Sequence, residues 1–424
     1  MREMKDSDEK WLGVIPTSWQ MRKGKYIFTQ RSQRGNNIEL QLLSPTQKYG
    51  VIPQSLYEKL SGMNAVKLDE KTDLTLLKTI HKGDYCISLR SFQGGFEYSE
   101  YEGVVSPAYQ VFYAIDKIDE GYYKYLFKDR EFINKMNSYT MSLRDGKNIA
   151  YADFGNTYIP YPTYGEQKKI ADFLDKKCAE IDILTSDIQK QIDILEQYKK
   201  SLVYMIVSKG IKKGVDLKET DSDVWNEIPC DWQIKDIKYL FEIVKRIAGK
   251  EGYDILSVTQ RGLKVKDISN GEGQIAENYS GYQYVYPTDY VMNHMDLLTG
   301  WVDLSCQFGV TSPDYRVFRL RGKEKNSLDY YKYVMQCCYM NRIFYSLGQG
   351  VSNMGRWRLQ TSAFNNFKVP VPPYQTQIEI AEYLNKKITD INAIIDLKRM
   401  QIGKITEYKK SLIYEYVTGK KEVM

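Results

Sequence analysis

The side chains that most often perform chemistry are sparse in this sequence. Histidine occurs only at His81 and His294, too few for a histidine-based catalytic triad or for a zinc site with several histidines in one domain. The sequence contains no GxxxxGK[ST] string, which is the usual phosphate-binding loop of NTPases. These residue types argue against an enzyme with hydrolytic or ATP-dependent chemistry of its own.

Three short strings match parts of cofactor or metal sites, but each lacks a necessary companion. The segment 271–276 fits a dinucleotide-binding pattern, yet polar residues precede it and no convincing helix follows. The proline-proline-tyrosine string 372–374 is preceded by Val371, where amino-methyltransferases need Asn or Asp. Asp314 has no Glu-x-Lys nearby to complete a nuclease site. We therefore expect no metal and no cofactor in this chain.

The composition indicates a globular chain. Of its 424 residues, 42% are apolar and 27% are charged, with a net charge of +6, a mild excess that permits nucleic-acid binding without requiring it. No apolar run approaches the roughly 20 residues that span a bilayer, so we expect a cytoplasmic protein with no membrane contact. We expect reduced, mostly buried thiols from the six cysteines, which form no CxxC pair. The 36 tyrosines suit either half-buried strands or binding surfaces.

The elements that must position any functional side chains are duplicated. Three segments of the first half return in the second half in the same order: 15–28 as 228–241, 106–112 as 312–318, and 159–182 as 369–392. A repeat of about half the chain is a whole domain rather than one small structural unit, so two similar globular domains are predicted.

The residue composition of each half changes along its length. Gly, Tyr and β-branched residues dominate its first part, where the segments 85–89, 109–115 and 315–320 are predicted strands and 122–139 and 328–347 are predicted helices. A proline-bracketed segment follows, and then a helix of some forty residues without an internal proline.

The long helices carry apolar residues at alternating spacings of three and four, which is typical of a coiled-coil seam. A helix of this length reaches roughly 60 Å. Antiparallel packing of the two copies would relate the halves by an approximate two-fold axis. The predicted seam positions are Leu174, Cys178, Ile181, Leu184, Ile188, Ile192, Leu195, Tyr198, Leu202 and Ile206 in the first copy, and Ile380, Leu384, Ile388, Ile391, Ile395, Ile402, Ile405, Tyr408 and Leu412 in the second, which Lys398 interrupts.

This arrangement resembles the specificity (S) subunits of type I restriction-modification systems. The resemblance spans the whole chain, and its most specific part is IPYPTYGEQKKIADFLDKKCAEID at 159–182 with its copy, similar to the family's Ile-Pro-x-Pro-Pro-x-x-Glu-Gln run before a long helix. Two departures affect only the start of the helices. Thr163 stands where proline is usual, and Thr376 replaces the glutamate before Gln377.

The resemblance implies an α/β (α+β) fold with two tandem-duplicated mixed α/β target recognition domains, separated by two long antiparallel coiled-coil helices in a pseudo-two-fold symmetric arrangement. We expect target recognition domain 1 at 1–163, the first long spacer helix at 164–215, target recognition domain 2 at 216–373 and the second spacer helix at 374–424.

The resemblance also implies a non-catalytic subunit that recognises a bipartite, asymmetric site in double-stranded DNA, one half per target recognition domain. Its implied partners are two modification (methyltransferase) subunits, which methylate adenine at N6, and restriction (translocase and nuclease) subunits. S-adenosylmethionine, ATP and Mg would then belong to those partners.

Residues that contact bases should be polar or basic and should lie on loops that differ between the halves. Glycines in these loops would let the backbone approach phosphates. The alternative for each residue is a solvated loop, and for the two repeated Thr-Gln pairs a structural hydrogen bond. The candidate DNA-binding residues are Arg90, Gln93, Arg144, Lys147, Asn148, Asn293, His294, Gln349, Ser352, Asn353, Arg356, Arg358, Gln47 and Gln260.

Charged and polar residues of the long helices are expected to face outward, toward modification subunits or water. Two other functions stay open. One is a coiled-coil scaffold that binds proteins without DNA specificity, and the other is a free-standing methyltransferase that binds S-adenosylmethionine alone. The helix residues concerned are Glu166, Gln167, Lys176, Lys177, Lys199 and Lys200.

Overall fold

The computed structural model describes residues 2–34, 40–63, 74–87, 95–139, 149–267, 278–349 and 357–423. The chain divides into two compact units. The first unit comprises Met1–Ile188 and Met400–Met424, and the second unit comprises Gln189–Arg399. Among the described residues, no helix has the length and apolarity needed to cross a membrane.

The two halves contain mostly equivalent elements in the same order. The first half contains β1 (Met4–Asp6), β2 (Val14–Pro16), β3 (Gln20–Lys23), β4 (Phe28–Gln30), β5 (Leu43–Thr46), β6 (Gly50–Pro53), α1 (Gln54–Ser61), β7 (Lys78–Ile80), β8 (Tyr85–Ile87), β9 (Phe96–Tyr98), β10 (Gly103–Val105), β11 (Gln110–Ala114), α2 (Glu120–Leu126), α3 (Arg130–Ser138), α4 (Tyr151–Asn156), β12 (Tyr158–Tyr161) and the long α5 (Tyr164–Lys209), with short 3-10 helices at Gly24–Tyr26 and Leu74–Leu76.

The second half contains β13 (Leu217–Glu219), β14 (Glu227–Pro229), β15 (Gln233–Asp236), α6 (Ile237–Leu240), β16 (Phe241–Val244), β17 (Leu256–Thr259), β18 (Gly262–Val265), β19 (Gln283–Val285), β20 (Asp289–Met292), β21 (Val302–Leu304), β22 (Gly309–Thr311), β23 (Arg316–Leu320), α7 (Leu328–Met340), α8 (Ile343–Ser346), α9 (Thr361–Asn365), β24 (Lys368–Val371) and the long α10 (Tyr374–Val417).

Each unit is built on one four-stranded antiparallel sheet. Its order is β4-β11-β8-β9 in the first unit and β16-β23-β20-β21 in the second. Pro160 and Pro370 lie in the separate two-stranded pairs β12-β3 and β15-β24, since proline removes a ladder hydrogen bond from a central strand. The predicted mixed α/β fold with two tandem domains and two long helices is confirmed.

Buried aromatic rings form the core of both units. Tyr85 stacks on Phe112 with ring centroids 5.4 Å apart, and the equivalent Tyr290 stacks on Phe318 at 5.2 Å. The two buried tyrosine hydroxyls donate to the Glu120 and Leu328 carbonyls at 2.7 and 2.6 Å, because a buried hydroxyl needs a partner. Part of the high tyrosine content is therefore core.

The two predicted helices between strand and proline segments are each interrupted. In the first half, α2 ends at Leu126 and α3 starts afresh, because the Asp129 side chain accepts from the backbone N–H groups of Glu131 and Phe132. In the second half, α7 ends at Met340 and α8 follows Arg342, which has a positive φ of 55°. The stretches 122–139 and 328–347 are therefore largely helical as predicted, but each is divided into two helices.

A buried glutamine amide ties each globular part to the start of a long helix. Gln167 donates to the Pro162 carbonyl at 2.9 Å and accepts from the Asp119 N–H at 2.8 Å. Gln377 makes the equivalent bonds to Pro372 at 2.9 Å and Ser327 at 2.8 Å. The prediction that Gln167 faces outward was wrong, since its side chain is fully buried.

A tyrosine hydroxyl ties the same globular part to the end of the other long helix. In the first unit Tyr122 donates to the Val417 carbonyl at 2.7 Å, and in the second unit Tyr330 donates to the Val207 carbonyl at 3.1 Å. The last carbonyls of a helix have no partner within it, so these bonds satisfy groups that would otherwise be buried and unpaired.

The two long helices run antiparallel within each unit. In the first unit Phe173 of α5 packs on Tyr416 of α10, and Asp182 pairs with Lys409 at 2.7 Å. In the second unit Lys199 donates to Asn392 at 3.2 Å. Most seam residues are buried or half-buried, but Leu184, Tyr198 and Tyr408 are exposed and were wrongly assigned to the seam. The buried members are Leu174, Cys178, Ile181, Ile188, Ile192, Leu202, Ile206, Ile380, Leu384, Ile391, Ile395 and Leu412.

A carboxylate supports each of the hairpins β5-β6 and β17-β18. In the first unit Glu97 pairs with Lys128, whose ammonium also donates to the Gln47 carbonyl at 3.3 Å. In the second unit Asp303 accepts from the Leu263 N–H at 3.0 Å and from Gln336 at 3.2 Å. Burial raises the pKa of Glu97 to about 7, although Lys128 opposes the shift.

Replacing Gln377 with Leu should destabilise the chain by about 1–3 kcal/mol, because the buried Pro372 carbonyl and Ser327 N–H lose their partner. Urea unfolding would measure the loss. The matched control is the exposed Gln197→Leu, which should have little effect. Equal stability of the two variants would contradict the role of the amide.

The Glu97 carboxyl should make stability depend on pH. Its folded pKa of about 7 exceeds the ordinary 4.5, so its stabilisation is complete below about pH 4.5 and is lost as the pH rises through 7. Glu97→Gln should remove this loss, amounting to roughly 1–3 kcal/mol, between pH 5 and 8. The control is the exposed Glu58→Gln. Wild-type stability that stays flat relative to Glu97→Gln over this range would contradict the assignment.

Candidate nucleic-acid interface

The structure describes some of the predicted DNA-contacting residues and brings four of them together. Asn293, His294, Gln349 and Arg358 meet in the second unit, whereas Gln47 and Gln260 lie at hairpin turns. The remaining candidates lie outside the described residues: Arg90, Gln93, Arg144, Lys147, Asn148, Ser352, Asn353 and Arg356.

The second-unit corner forms where the loop after β20 meets the segment before α9. Gln349 and Arg358 pair as an antiparallel bridge, with backbone bonds of 3.0 and 3.1 Å in the two directions. The Leu359 N–H donates to the His294 carbonyl at 2.9 Å, and the Leu297 N–H donates to the Trp357 carbonyl at 3.2 Å. Backbone bonds thus hold residues more than fifty positions apart as one surface.

The side chains of this corner differ in exposure. Gln349 and Arg358 are exposed, while Asn293 and His294 are half-buried. The Asn293 Oδ1 accepts from the Met295 N–H at 3.3 Å, and the Arg358 Nε lies 2.7 Å from the Met295 sulfur. Arg358 and Gln349 are therefore the two side chains most available to a ligand.

His294 is held neutral. Burial, and then the positive charges of Arg316 and Arg358, lower its pKa to about 3. Its Nδ1 is buried and has no hydrogen-bond partner among the described residues.

Arg316 was missed by sequence reasoning. Its guanidinium is buried, with 5% of the residue exposed, and donates to the Leu359 carbonyl at 3.0 Å and the Thr361 hydroxyl at 3.2 Å. The equivalent Gln110 of the first unit donates to the Ile149 carbonyl at 2.9 Å and accepts from the Tyr151 N–H at 2.7 Å. The alignment of the repeats 106–112 and 312–318, which places Gln110 opposite Arg316, is the feature of the sequence that could have identified this position.

In each repeated Thr-Gln pair, the threonine makes a structural hydrogen bond and the glutamine is exposed. The Thr46 hydroxyl donates to the Gly50 carbonyl at 3.0 Å, and the Thr259 hydroxyl donates to the Gly262 carbonyl at 2.8 Å. These threonines close the β5-β6 and β17-β18 hairpins. Gln47 and Gln260 are exposed at the turns, although Gln260 also makes a long 3.4 Å bond to the Thr299 carbonyl.

The turn at Gln260 faces a basic groove of about 830 Å³ in the second unit. Within the described residues, Lys200, Arg261 and Arg342 form no ion pair in it, so their charges are available to an anionic ligand. The charged side chains that line the groove are Lys199, Lys200, Arg261, Lys332, Arg342 and Arg399 on the basic side and Glu196, Asp303 and Asp396 on the acidic side.

Only some of the polar helix residues expected to face outward do so, and Glu166, like Gln167, is an exception. It pairs with Arg2 and accepts from the Trp19 indole N–H at 3.2 Å, so it anchors the helix start. Lys177 pairs with Glu180 within its own helix. Lys176 and Lys200 are exposed.

No group of three or more His, Cys, Asp or Glu side chains in the described ranges is arranged to hold a metal ion. The six cysteines are all free, with Cys230 and Cys306 exposed and the others buried. Burial raises the pKa of Cys86, Cys337 and Cys338 above the ordinary thiol value, which leaves these thiols protonated and unreactive.

The sequence matches the family described as "Type I restriction modification DNA specificity domain" over residues 16–193 and 229–403. It is 25% identical over 326 residues to the type I restriction enzyme MjaVIII specificity subunit of Methanocaldococcus jannaschii, covering 72% of this chain and 70% of that protein. The putative MjaX specificity subunit of the same organism is 24% identical, with 72% and 69% covered.

A solved structure with a low sequence identity has a similar fold. A chain from a study of complex assembly and conformational transition of the type I R-M system superimposes with a TM-score of 0.67 at 11% identity, covering 95% of this chain and 98% of that one. The HsdS subunit of Thermoanaerobacter tengcongensis gives a TM-score of 0.48 at 13% identity, covering 98% and 100%. With both halves matched by the family in sequence, this chain belongs to the specificity subunits of type I restriction-modification systems.

Proposed function

We propose that this chain recognises a bipartite, asymmetric DNA sequence, with each unit reading one half-site. The observation that carries the proposal is that one scaffold occurs twice with different side chains at equivalent reading positions. Gln110 and Arg316 occupy equivalent positions, and the residues that they hold in place differ: Ile149 and Tyr151 in the first unit, Leu359 and Thr361 in the second. Two units with identical residues would recognise identical half-sites, so the difference between the units supports an asymmetric DNA site.

The exposed glutamines at the hairpin turns would reach base edges in this account. Glutamine can pair with the N6 and N7 atoms of adenine in the major groove. The basic groove beside Gln260 would contact phosphates, which position the protein without specifying sequence.

The long helices would serve as spacer and as dock for two modification subunits. Each unit exposes an apolar pair at repeat-equivalent positions: Leu184 and Tyr408 in the first unit, at 49% and 58% exposure, and Ile394 and Tyr198 in the second, at 44% and 52%. The cross-helix contacts Lys409–Asp182 and Lys199–Asn392 lie beside these pairs. Two equivalent apolar patches fit two copies of one partner.

The chemistry would lie in the partners. Modification subunits would bind S-adenosylmethionine and methylate adenine N6, and restriction subunits would use ATP and Mg for translocation and cleavage. Because an adenine must leave the base stack to be methylated, this chain would hold the register while a partner extrudes the base.

Long-read mapping of N6-methyladenine would test the proposal, in cells that carry the chain with its cognate modification subunit and in cells that lack only the chain. A split motif that disappears with the chain is the expected result. Methylation that is unchanged without the chain would instead favour a scaffold without DNA specificity.

The two turn glutamines should act on different half-sites. Gln47→Ala should weaken recognition of one half-site and Gln260→Ala that of the other, each by roughly 5- to 150-fold, as expected for a lost base contact of about 1–3 kcal/mol. Methylation rates on duplexes with single base changes would show this. Gln197→Ala, on the exposed helix surface, is the control. Effects of both variants on the same half-site would contradict the assignment.

The apolar patches should set how many modification subunits bind. Tyr198→Glu and Tyr408→Glu should each remove one subunit, and the double variant should remove both, because a charge opposes burial of the patch. Native mass spectrometry of the complex would count them. The control is Tyr239→Glu at the exposed α6 position. A double variant that still binds two subunits would refute the docking role.

A further inference from the structure

The second unit contains a buried cation that its own described residues do not neutralise. Arg316 donates from Nη2 to Leu359 and Thr361, and its Cζ lies 4.7 Å from the ring centroid of Phe364. Its Nη1 is buried without a hydrogen-bond partner among the described residues. No carboxylate in the described part of the chain forms an ion pair with it. A buried charge is costly unless it is paired.

The positive charge is not needed to hold the backbone in place. Gln110 performs the equivalent bridging in the first unit with a neutral amide, and both polar ends of that amide are satisfied. Arginine in the second unit adds a charge and an unused donor to the same support. An added cost without a structural gain indicates a ligand, since such groups are found where function requires them.

The groups around Arg316 would also favour an anionic ligand. Burial lowers the pKa of Arg316, and the positive charge of Arg358, which is exposed at the corner, lowers it further. The His294 Nδ1 is buried and unpartnered among the described residues. A neutral imidazole can carry its proton on either nitrogen, and with the proton on Nδ1 it becomes a donor.

We propose that His294, Arg316 and Arg358 form an oxyanion site of the second unit that binds one phosphate group of the DNA backbone at its half-site. The proposal rests on the proposed function, because it takes DNA as the source of the phosphate. Arg358 supplies the accessible charge, and Arg316 and His294 supply the donors that the folded chain leaves unused. The first unit, with Gln110, lacks this buried charge.

The first arm of the test uses inorganic phosphate as the probe and the full chain as the protein. At equal ionic strength, phosphate in place of chloride should raise the thermal unfolding midpoint of the wild type by several degrees and should leave that of Arg316→Gln unchanged. Arg316→Gln should fold, since Gln110 fills the same place in the first unit. Arg319→Gln, on the same strand but exposed and paired with Glu242, is the control and should respond like the wild type.

The second arm uses the chain with its modification subunits and duplexes bearing the mapped motif. Arg316→Gln and the exposed Arg358→Gln should each weaken DNA binding about tenfold. Each should also reduce the slope of log binding constant against log salt concentration by about one, the value for one lost phosphate contact. Changes to the bases of either half-site should discriminate as in the wild type, because a phosphate contact carries no sequence information.

The outcomes separate the two proposals. If phosphate stabilises Arg316→Gln as much as the wild type and the split motif persists, the oxyanion site is wrong and the reading function stands. If phosphate discriminates between the variants but no motif depends on the chain, the reading function fails, and free phosphate rather than DNA is the ligand of the corner.

Discussion

The buried amides of Gln167 and Gln377 are the contacts on which the arrangement of each unit depends. Each amide joins the first turn of a long helix to the residue that caps a helix of the globular part, Asp119 or Ser327. The tyrosine hydroxyls of Tyr122 and Tyr330 then bind the end of the opposite helix. With these polar bonds buried, a shift of the globular part along the helices would leave several groups unpaired, so the globular part is held in register with the helix pair.

Duplication of this attachment has a functional consequence. The glutamine and tyrosine side chains of the attachment are the same in both units, while other residues of the globular parts differ, as Gln110 and Arg316 do within an otherwise shared support. Such a chain can change what each unit binds without changing how the unit is held. The proposed division of a DNA site into two independently read halves follows from that separation of support and surface.

Much of the fold could be predicted from the sequence, because its determinants are periodic or repeated. The duplicated segments and the heptad-like spacing indicated two mixed domains and two long helices. The burial of Gln167 could not be predicted, because its partners are carbonyl and N–H groups positioned only by the tertiary fold. Leu184, Tyr198 and Tyr408 follow the seam spacing, but one partner helix covers only one stripe of the surface. To predict the boundary between α2 and α3, Asp129 would have to be recognised as a helix N-cap within a segment that otherwise has a helical apolar pattern. Arg316 could not be singled out from its own segment, because the partners of its guanidinium are brought to it only by the tertiary fold, although the repeat places it opposite Gln110.

The measurement that tests the central claim most directly is the methylation motif of a chimaera in which residues 20–161 replace residues 233–371, so that both units carry the first globular part on unchanged helices. The exchanged segments begin and end at the equivalent strand pairs β3-β12 and β15-β24. The account predicts a methylated motif whose two halves contain the same bases, those that the first unit reads in the wild type. A chimaera that assembles with its modification subunits but retains the original asymmetric motif would contradict it.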